Sequence, residues 1–192
     1  MATTAKPVPW RCKICGEVTI SATRPGNCPF CGSAGEWYVV RLGEYAPLPR
    51  GQEGHTTLID EARLHESLEG ELLDVDGYSA LATCMKGEGS AAALYKRLAR
   101  VESEHAHIFT DLMKRRDIDA TAELSEREAP PSARGHMTRG MIMAGIAAMK
   151  ERETRAMRKY AQFAQDTHDP ELEVVWQALS EVEGGHAELL PI

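Results

Sequence analysis

Two stretches of the chain carry the same pair of chemically active residues. Leu94–Ala106 contains Glu102-Ser-Glu-His105, and Val175–Ala187 contains Glu183-Gly-Gly-His186. Each has a partner upstream, Glu71 with Tyr78 and Glu153 with Tyr160, spaced seven residues apart in both cases. The copies repeat at an offset of 82 residues for the Glu/Tyr pairs and 81 for the Glu/His pairs. Residues three apart on a helix share a face, so each Glu-x-x-His presents a carboxylate and an imidazole together. One glutamate from each of two helices, with Glu-x-x-His from each of two others, is the ligand set of a carboxylate-bridged pair of iron ions. Glu71, Glu102, His105, Glu153, Glu183 and His186 are therefore the candidate metal ligands and catalytic groups. Tyr78 and Tyr160 are candidates to hydrogen-bond the ligand carboxylates and to lend protons or electrons.

The elements that must position these residues are readable as apolar ladders stepping by three or four. Leu64, Leu68, Glu71, Val75, Tyr78, Ala82 and Met85 trace one helix, and Leu94, Leu98, Val101, His105, Ile108 and Leu112 a second. Ile142, Ile146, Met149, Glu153, Ala156, Tyr160 and Phe163 trace a third, and Leu172, Val175, Leu179, Val182, His186 and Leu189 a fourth. This spacing is the seam of a bundle helix. Glu71, Glu153, His105 and His186 occupy seam slots that the pattern reserves for apolar side chains. Glu66, Glu69 and Glu151 fall off the seam. Buried carboxylates repel and resist ionisation, and two divalent cations offset that by balancing four charges of each sign. Lys86–Ser90 and Asp166–Pro170 are short turns between antiparallel neighbours. The longer stretch from Arg116 to Arg134 makes a crossover, giving a mainly α chain with a ferritin-like four-helix bundle over residues 57–192.

Residues 1–42 differ in kind. They hold four of the five cysteines, in Cys12-Lys-Ile-Cys15-Gly and Cys28-Pro-Phe-Cys31-Gly, with turn formers between. Two such knuckles set four thiolates around one ion, and that geometry suits zinc or iron. Trp10 and Phe30 could shield it. A Pro/Gly-rich linker follows over residues 43–56. Cys84 reads as a buried small hydrophobe. His55, His65, His107, His136 and His168 read as solvated, and the charged run Lys150–Arg155 as an exposed face with Glu153 turned inward.

Composition excludes some classes. The net charge of −7 opposes nucleic-acid and anionic-membrane partners. No apolar run approaches the roughly 20 residues that span a bilayer. The opening Met1–Pro7 has no hydrophobic signal region, and paired C-x-x-C cysteines suit a reducing compartment, so a cytoplasmic location is expected.

On these residues the chain resembles the rubrerythrins, most specifically at Trp10-Arg-Cys12, Cys15-Gly, Cys28-Pro-x-Cys31-Gly, Gly70-Glu71 with Tyr78, and the two Glu-x-x-His motifs. The cysteine module comes first, as in the reverse type. The resemblance implies a rubredoxin-like module with one iron on Cys12, Cys15, Cys28 and Cys31 (zinc as the alternative), and two irons in the bundle. It implies reduction of hydrogen peroxide, and of dioxygen in some members, to water, with electrons from a separate nicotinamide-linked reductase. It further implies a homodimer or higher homo-oligomer in which the module of one subunit serves the bundle of another. Iron storage by a ferroxidase and a zinc-ribbon interaction module on a helical bundle are the alternatives. One departure stands out: the family's extra glutamate on the third helix corresponds to Ala156. Asp74, at the matching position three residues after Glu71, is the candidate to replace it as a ligand or as a neighbour of the ligands.

Overall fold

Thr57 opens the first long helix with a reciprocal cap. Its hydroxyl accepts from the Asp60 backbone N–H, and the Asp60 carboxylate accepts from the Thr57 N–H at 3.0 Å, so two otherwise unsatisfied helix-end donors are paired. The computed structural model describes residues 8–12, 18–30, 32, 34–35, 38–40, 56–125 and 138–191. Cys15, Cys31, His55, His136, most of the linker and Pro130-Pro131 lie outside the described residues.

Helix α1 (Leu58–Cys84) and α2 (Gly89–Arg115) form one antiparallel hairpin, and α4 (Arg139–Asp166) and α5 (Pro170–Leu189) a second. The crossover between them holds a short helix, α3 (Thr121–Ser125), too short to carry a periodic signal. Pairings of Glu71 with Tyr160 and of Tyr78 with Glu153 run in opposite directions along α1 and α4, so these two helices are antiparallel as well. The N-terminal segment forms a three-stranded antiparallel sheet, β1 (Val8–Cys12), β2 (Val18–Ser21) and β3 (Tyr38–Val40), in the order β2-β1-β3. Cys12 and Cys28 are buried together there, with Trp10 and Phe30 packed against them.

The bundle core divides into two apolar clusters along the helices. One contains Leu64, Leu68, Phe109, Leu112, Tyr160 and Trp176, and the other Tyr78, Leu81, Tyr95, Leu98, Ile146 and Met149. Glu71, Glu102 and Glu153 fall between them along their helices. The polar centre is thus enclosed at both ends by side chains that exclude water.

Two side chains depart from the solvated reading. His65 is half-buried, its Nδ1 2.5 Å from Glu123 Oε1, and so ties α3 back to α1. Cys84 is only half-buried, because the last turn of α1 emerges from the core.

Asp169 secures the start of α5, where Pro170 occupies the first turn. Its carboxylate accepts from the Glu171 and Leu172 backbone N–H groups at 3.0 and 3.3 Å, from Thr56 at 3.0 Å and from Arg116 Nη2 at 2.9 Å. Burial alone would push this carboxyl up, but the Arg116 guanidinium overrides that and holds it below its ordinary value of 3.8. Asp169→Ala should therefore destabilise the chain by about 1–2 kcal/mol in urea unfolding through the lost cap, while Arg116 keeps its second carboxylate partner, Glu171, at 2.9 Å. A depressed carboxylate stabilises above its unfolded pKa and loses that contribution as pH falls through the folded one. The gap between wild type and variant should accordingly be full above pH 3.8 and close at lower pH.

Candidate metal centre

The six expected side chains converge. Glu71, Glu102, His105, Glu153, Glu183 and His186 are all buried, none more than 2 % exposed, whereas the competing Glu66, Glu69 and Glu151 are exposed. They form two groups that could each hold an ion, Glu71 with Glu102, His105 and Glu183, and Glu153 with Glu102, Glu183 and His186. Within each group the nearest donor atoms all lie within 4.8 Å of one another. Glu102 and Glu183 belong to both.

The imidazoles turn Nδ1 toward this centre. His105 Nδ1 lies 3.0 Å from Glu102 and 3.4 Å from both Glu71 and Glu183. His186 Nδ1 lies 2.9 Å from Glu102 and 3.2 Å from Glu183. The two rings stack at 5.9 Å. Even so, Glu102 Oε1, Glu153 Oε2 and both oxygens of Glu183 are buried without an aligned hydrogen bond. Buried carboxylate oxygens left in that state are strongly unfavourable. A donor set of four carboxylates and two imidazoles, with lone pairs converging on two points, fits a pair of iron ions.

The electrostatics agree. Burial, reinforced by the Glu183 charge, pushes Glu71 up to about 8. Burial and the neighbouring Glu102 raise Glu153 well above the carboxylate range. Burial would raise Glu183 too, but the adjacent His105 and His186 hold it below that range. Two cations would relieve the cluster by pairing with all four charges.

Tyr78 and Tyr160 each donate to a glutamate of the opposite hairpin, Tyr78 to Glu153 Oε1 and Tyr160 to Glu71 Oε1. The equal seven-residue spacings on antiparallel helices force this crossed pairing. Burial, then the charge of the accepting glutamate, pushes both phenols far above their usual range, so both remain donors that fix the carboxylates in place.

Asp74 stands outside both groups. It is buried, and its Oδ1 is taken by Arg152 Nε at 2.5 Å. Arg152 also donates to the Gly70 carbonyl at 3.3 Å. The exposed-face reading of 150–155 missed this inward arginine, because its neighbours point to water and only a three-dimensional partner marks it. Lys150 likewise reaches the Leu190 carbonyl at 3.1 Å. Asp74, Arg152, Ala156, Lys159 and Tyr160 line a recess of about 420 Å³, so the side of α4 that carries Ala156 is open space rather than a fifth glutamate.

Burial pushes Asp74 up to about 6 from 3.8 despite Arg152. A raised carboxyl favours the fold when protonated and loses that advantage as pH rises through the folded pKa. In the metal-free protein, wild-type stability relative to Asp74→Asn should therefore increase as pH is lowered from about 6 to 3.8. Urea unfolding across that range measures it.

Among the described residues no helix is long and apolar enough to cross a membrane. The rubrerythrin family model matches residues 63–191, which contain all six converging side chains. Reverse rubrerythrin-1 of Clostridium acetobutylicum is 29% identical over 110 residues, covering 54% of this chain and 61% of that protein. The chain thus spans less than two thirds of the length of that relative. No solved structure matches. The family domain implies iron binding, and the buried carboxylate and imidazole groups could hold the two ions. A family match over most of the chain, coinciding with the cage its helices build, means that the chain belongs to the rubrerythrin family.

Proposed function

We propose that the protein is a non-haem di-iron peroxidase that reduces hydrogen peroxide to water in oxidative-stress defence. The observation that carries this reading is the pair of four-residue groups sharing Glu102 and Glu183. In this reading Glu71 and His105 would hold one ion and Glu153 and His186 the other, with Glu102 and Glu183, which belong to both groups, available to each. Two ferrous ions held there would supply the two electrons that, with two protons, turn one peroxide into two waters. The chain's own contribution is placement and exclusion of water. Tyr160 and Tyr78 hold Glu71 and Glu153 in fixed orientations, and the two apolar clusters keep solvent from the centre.

Cys12, Cys15, Cys28 and Cys31 are proposed to hold a further iron that accepts electrons from an external reductase, with zinc as the alternative occupant. Burial of Cys12 beside Cys28 supports a shared ion. A cytoplasmic homodimer or higher homo-oligomer belongs to the same reading.

The test is metal content and visible spectrum of anaerobically purified protein, followed by peroxide. About three irons per chain, with a red chromophore that bleaches on reduction and returns with peroxide, is the expected result. A colourless protein with about one zinc per chain and no iron would instead favour the interaction-module reading, and iron whose colour ignores peroxide the iron-storage reading.

A further inference from the structure

Helices α1 and α4 face each other through two matched rows. Glu66, Gly70 and Asp74 stand at four-residue steps on α1, and Arg152, Ala156 and Lys159 at four- and three-residue steps on α4. Each row therefore occupies one helical face. Because the helices are antiparallel, the rows pair in opposite order. Lys159 Nζ lies 3.5 Å from Glu66 Oε1, and Arg152 Nε 2.5 Å from Asp74 Oδ1. Between these two ion pairs stand the smallest residues of the rows, Gly70 and Ala156, and both line the recess of about 420 Å³. Tyr160, whose hydroxyl donates to Glu71 Oε1, lines it too.

Gly70 is not there to relieve a clash. A Cβ at this position would lie 3.5 Å from Lys159 Nζ and 4.0 Å from the Tyr160 hydroxyl, both ordinary contacts. Alanine would fit and would favour the helix, so what glycine leaves is space in front of Tyr160. The lining charges balance, Glu66, Glu69 and Asp74 against Arg152, Arg155 and Lys159, and such a recess has no net charge to concentrate an ion.

We propose that the gap between the Glu66–Lys159 and Asp74–Arg152 pairs is the port through which a small uncharged peroxide reaches the Glu71 side of the cage, kept open by Gly70 and Ala156. The peroxide rests on the peroxidase reading; the place of the port rests on geometry. The two apolar clusters close the cage along the bundle, whereas this opening enters from the side, between α1 and α4. Its volume is ample for a molecule little larger than water, which occupies about 30 Å³. The ion pairs tie α1 to α4 on either side and so fix the width of the gap. The Tyr160 phenol is its inner wall as well as the clamp on Glu71.

The test uses the full-length chain and two neutral probes, peroxide and nitric oxide, the second of which reports access to ferrous iron without peroxide chemistry. In anaerobic stopped-flow absorbance, Ala156→Phe should slow the reaction with both by about tenfold or more at unchanged iron content, because entry then waits on motion of the ring. Gly70→Ala should slow both by less. Ala147→Phe, on an exposed part of the same helix outside the recess, should match wild type. Wild-type rates for both probes in Ala156→Phe would overturn the port. Slowed nitric oxide binding in a protein that ignores peroxide would support the port and overturn the peroxidase reading. A metal-free measurement decides the matter even if Ala156→Phe fails to fold. Helix α4 has no native cysteine, so the thiol of Ala156→Cys can be followed by peptide mass. It should react with methyl methanethiosulfonate, a neutral reagent, within about tenfold of the rate for Ala147→Cys, since reactivity follows access. A thiol at position 156 that stays unmodified would refute an open port.

Discussion

Glu102→Gln will invert its effect on stability according to whether metal is present. In the metal-free protein the substitution removes one negative charge from a set of four buried carboxylates whose donor atoms lie within 4.8 Å of one another in each group. Relief of like-charge repulsion and of carboxylate desolvation should stabilise that form by about 1–3 kcal/mol. Loaded with iron, the same variant lacks a carboxylate that both groups share, so neither position keeps its full donor set. Loss even of residues that only orient metal ligands weakens binding about 10- to 100-fold, and loss of a shared ligand should exceed that range. At saturating iron the wild type should therefore gain several degrees in melting temperature and the variant little or none. Differential scanning calorimetry with and without ferrous iron under anaerobic conditions, with metal content measured on the same samples, reads both signs. A variant that binds two cage irons with wild-type affinity would remove Glu102 from its proposed place in both groups, whatever its peroxide turnover.

Trp176→Ala is expected to be the most destabilising single change in the apolar core, at about 3–5 kcal/mol. Trp176 is fully buried, its Nε1 donates to Ser67 Oγ at 3.2 Å, and its ring meets Phe163 edge-on at 5.4 Å. Phe163 in turn contacts Tyr160 at 6.5 Å, and Phe109 supports Tyr160 from another side at 5.8 Å. The cavity would thus open two rings away from the hydroxyl that holds Glu71. Trp176→Phe, which fills most of the space and loses the hydrogen bond, should be milder by at least half. If both variants unfold at the same denaturant concentration as wild type, the packing account of this end of the bundle is wrong.

The cage was legible because charge sits where the helical period demands apolar residues. Glu71, His105, Glu153 and His186 are seam positions, and the repeat separated Glu71 from Glu66 and Glu69 without any coordinates. The paired spacing of glutamate and tyrosine was legible too, but not its crossed outcome, which needs the direction of α1 relative to α4. Arg152 was unreadable for a different reason. A long side chain on a charged helix face can turn either way, and only Asp74 on another helix draws it in. His65 was missed similarly, since its partner Glu123 belongs to a short helix with no periodic signal. Phe30 was read as a shield for the cysteines, and nothing local revealed that its other face meets His186 some 150 residues later.

Each hairpin supplies three donors to one position and lends a single glutamate to the other: Glu102 from α2 reaches across to the second group, and Glu183 from α5 to the first. Ions bound in this way would clasp the two halves of the chain across the crossover from Arg116 to Thr138. A clasp of that kind acts as a cross-link, confining the relative motion of two segments that the backbone joins only through a long connection. Its consequence is mechanical as well as chemical. A chain cut once between α3 and α4 should stay in one piece while iron is bound, and its halves should separate more readily when a chelator removes it.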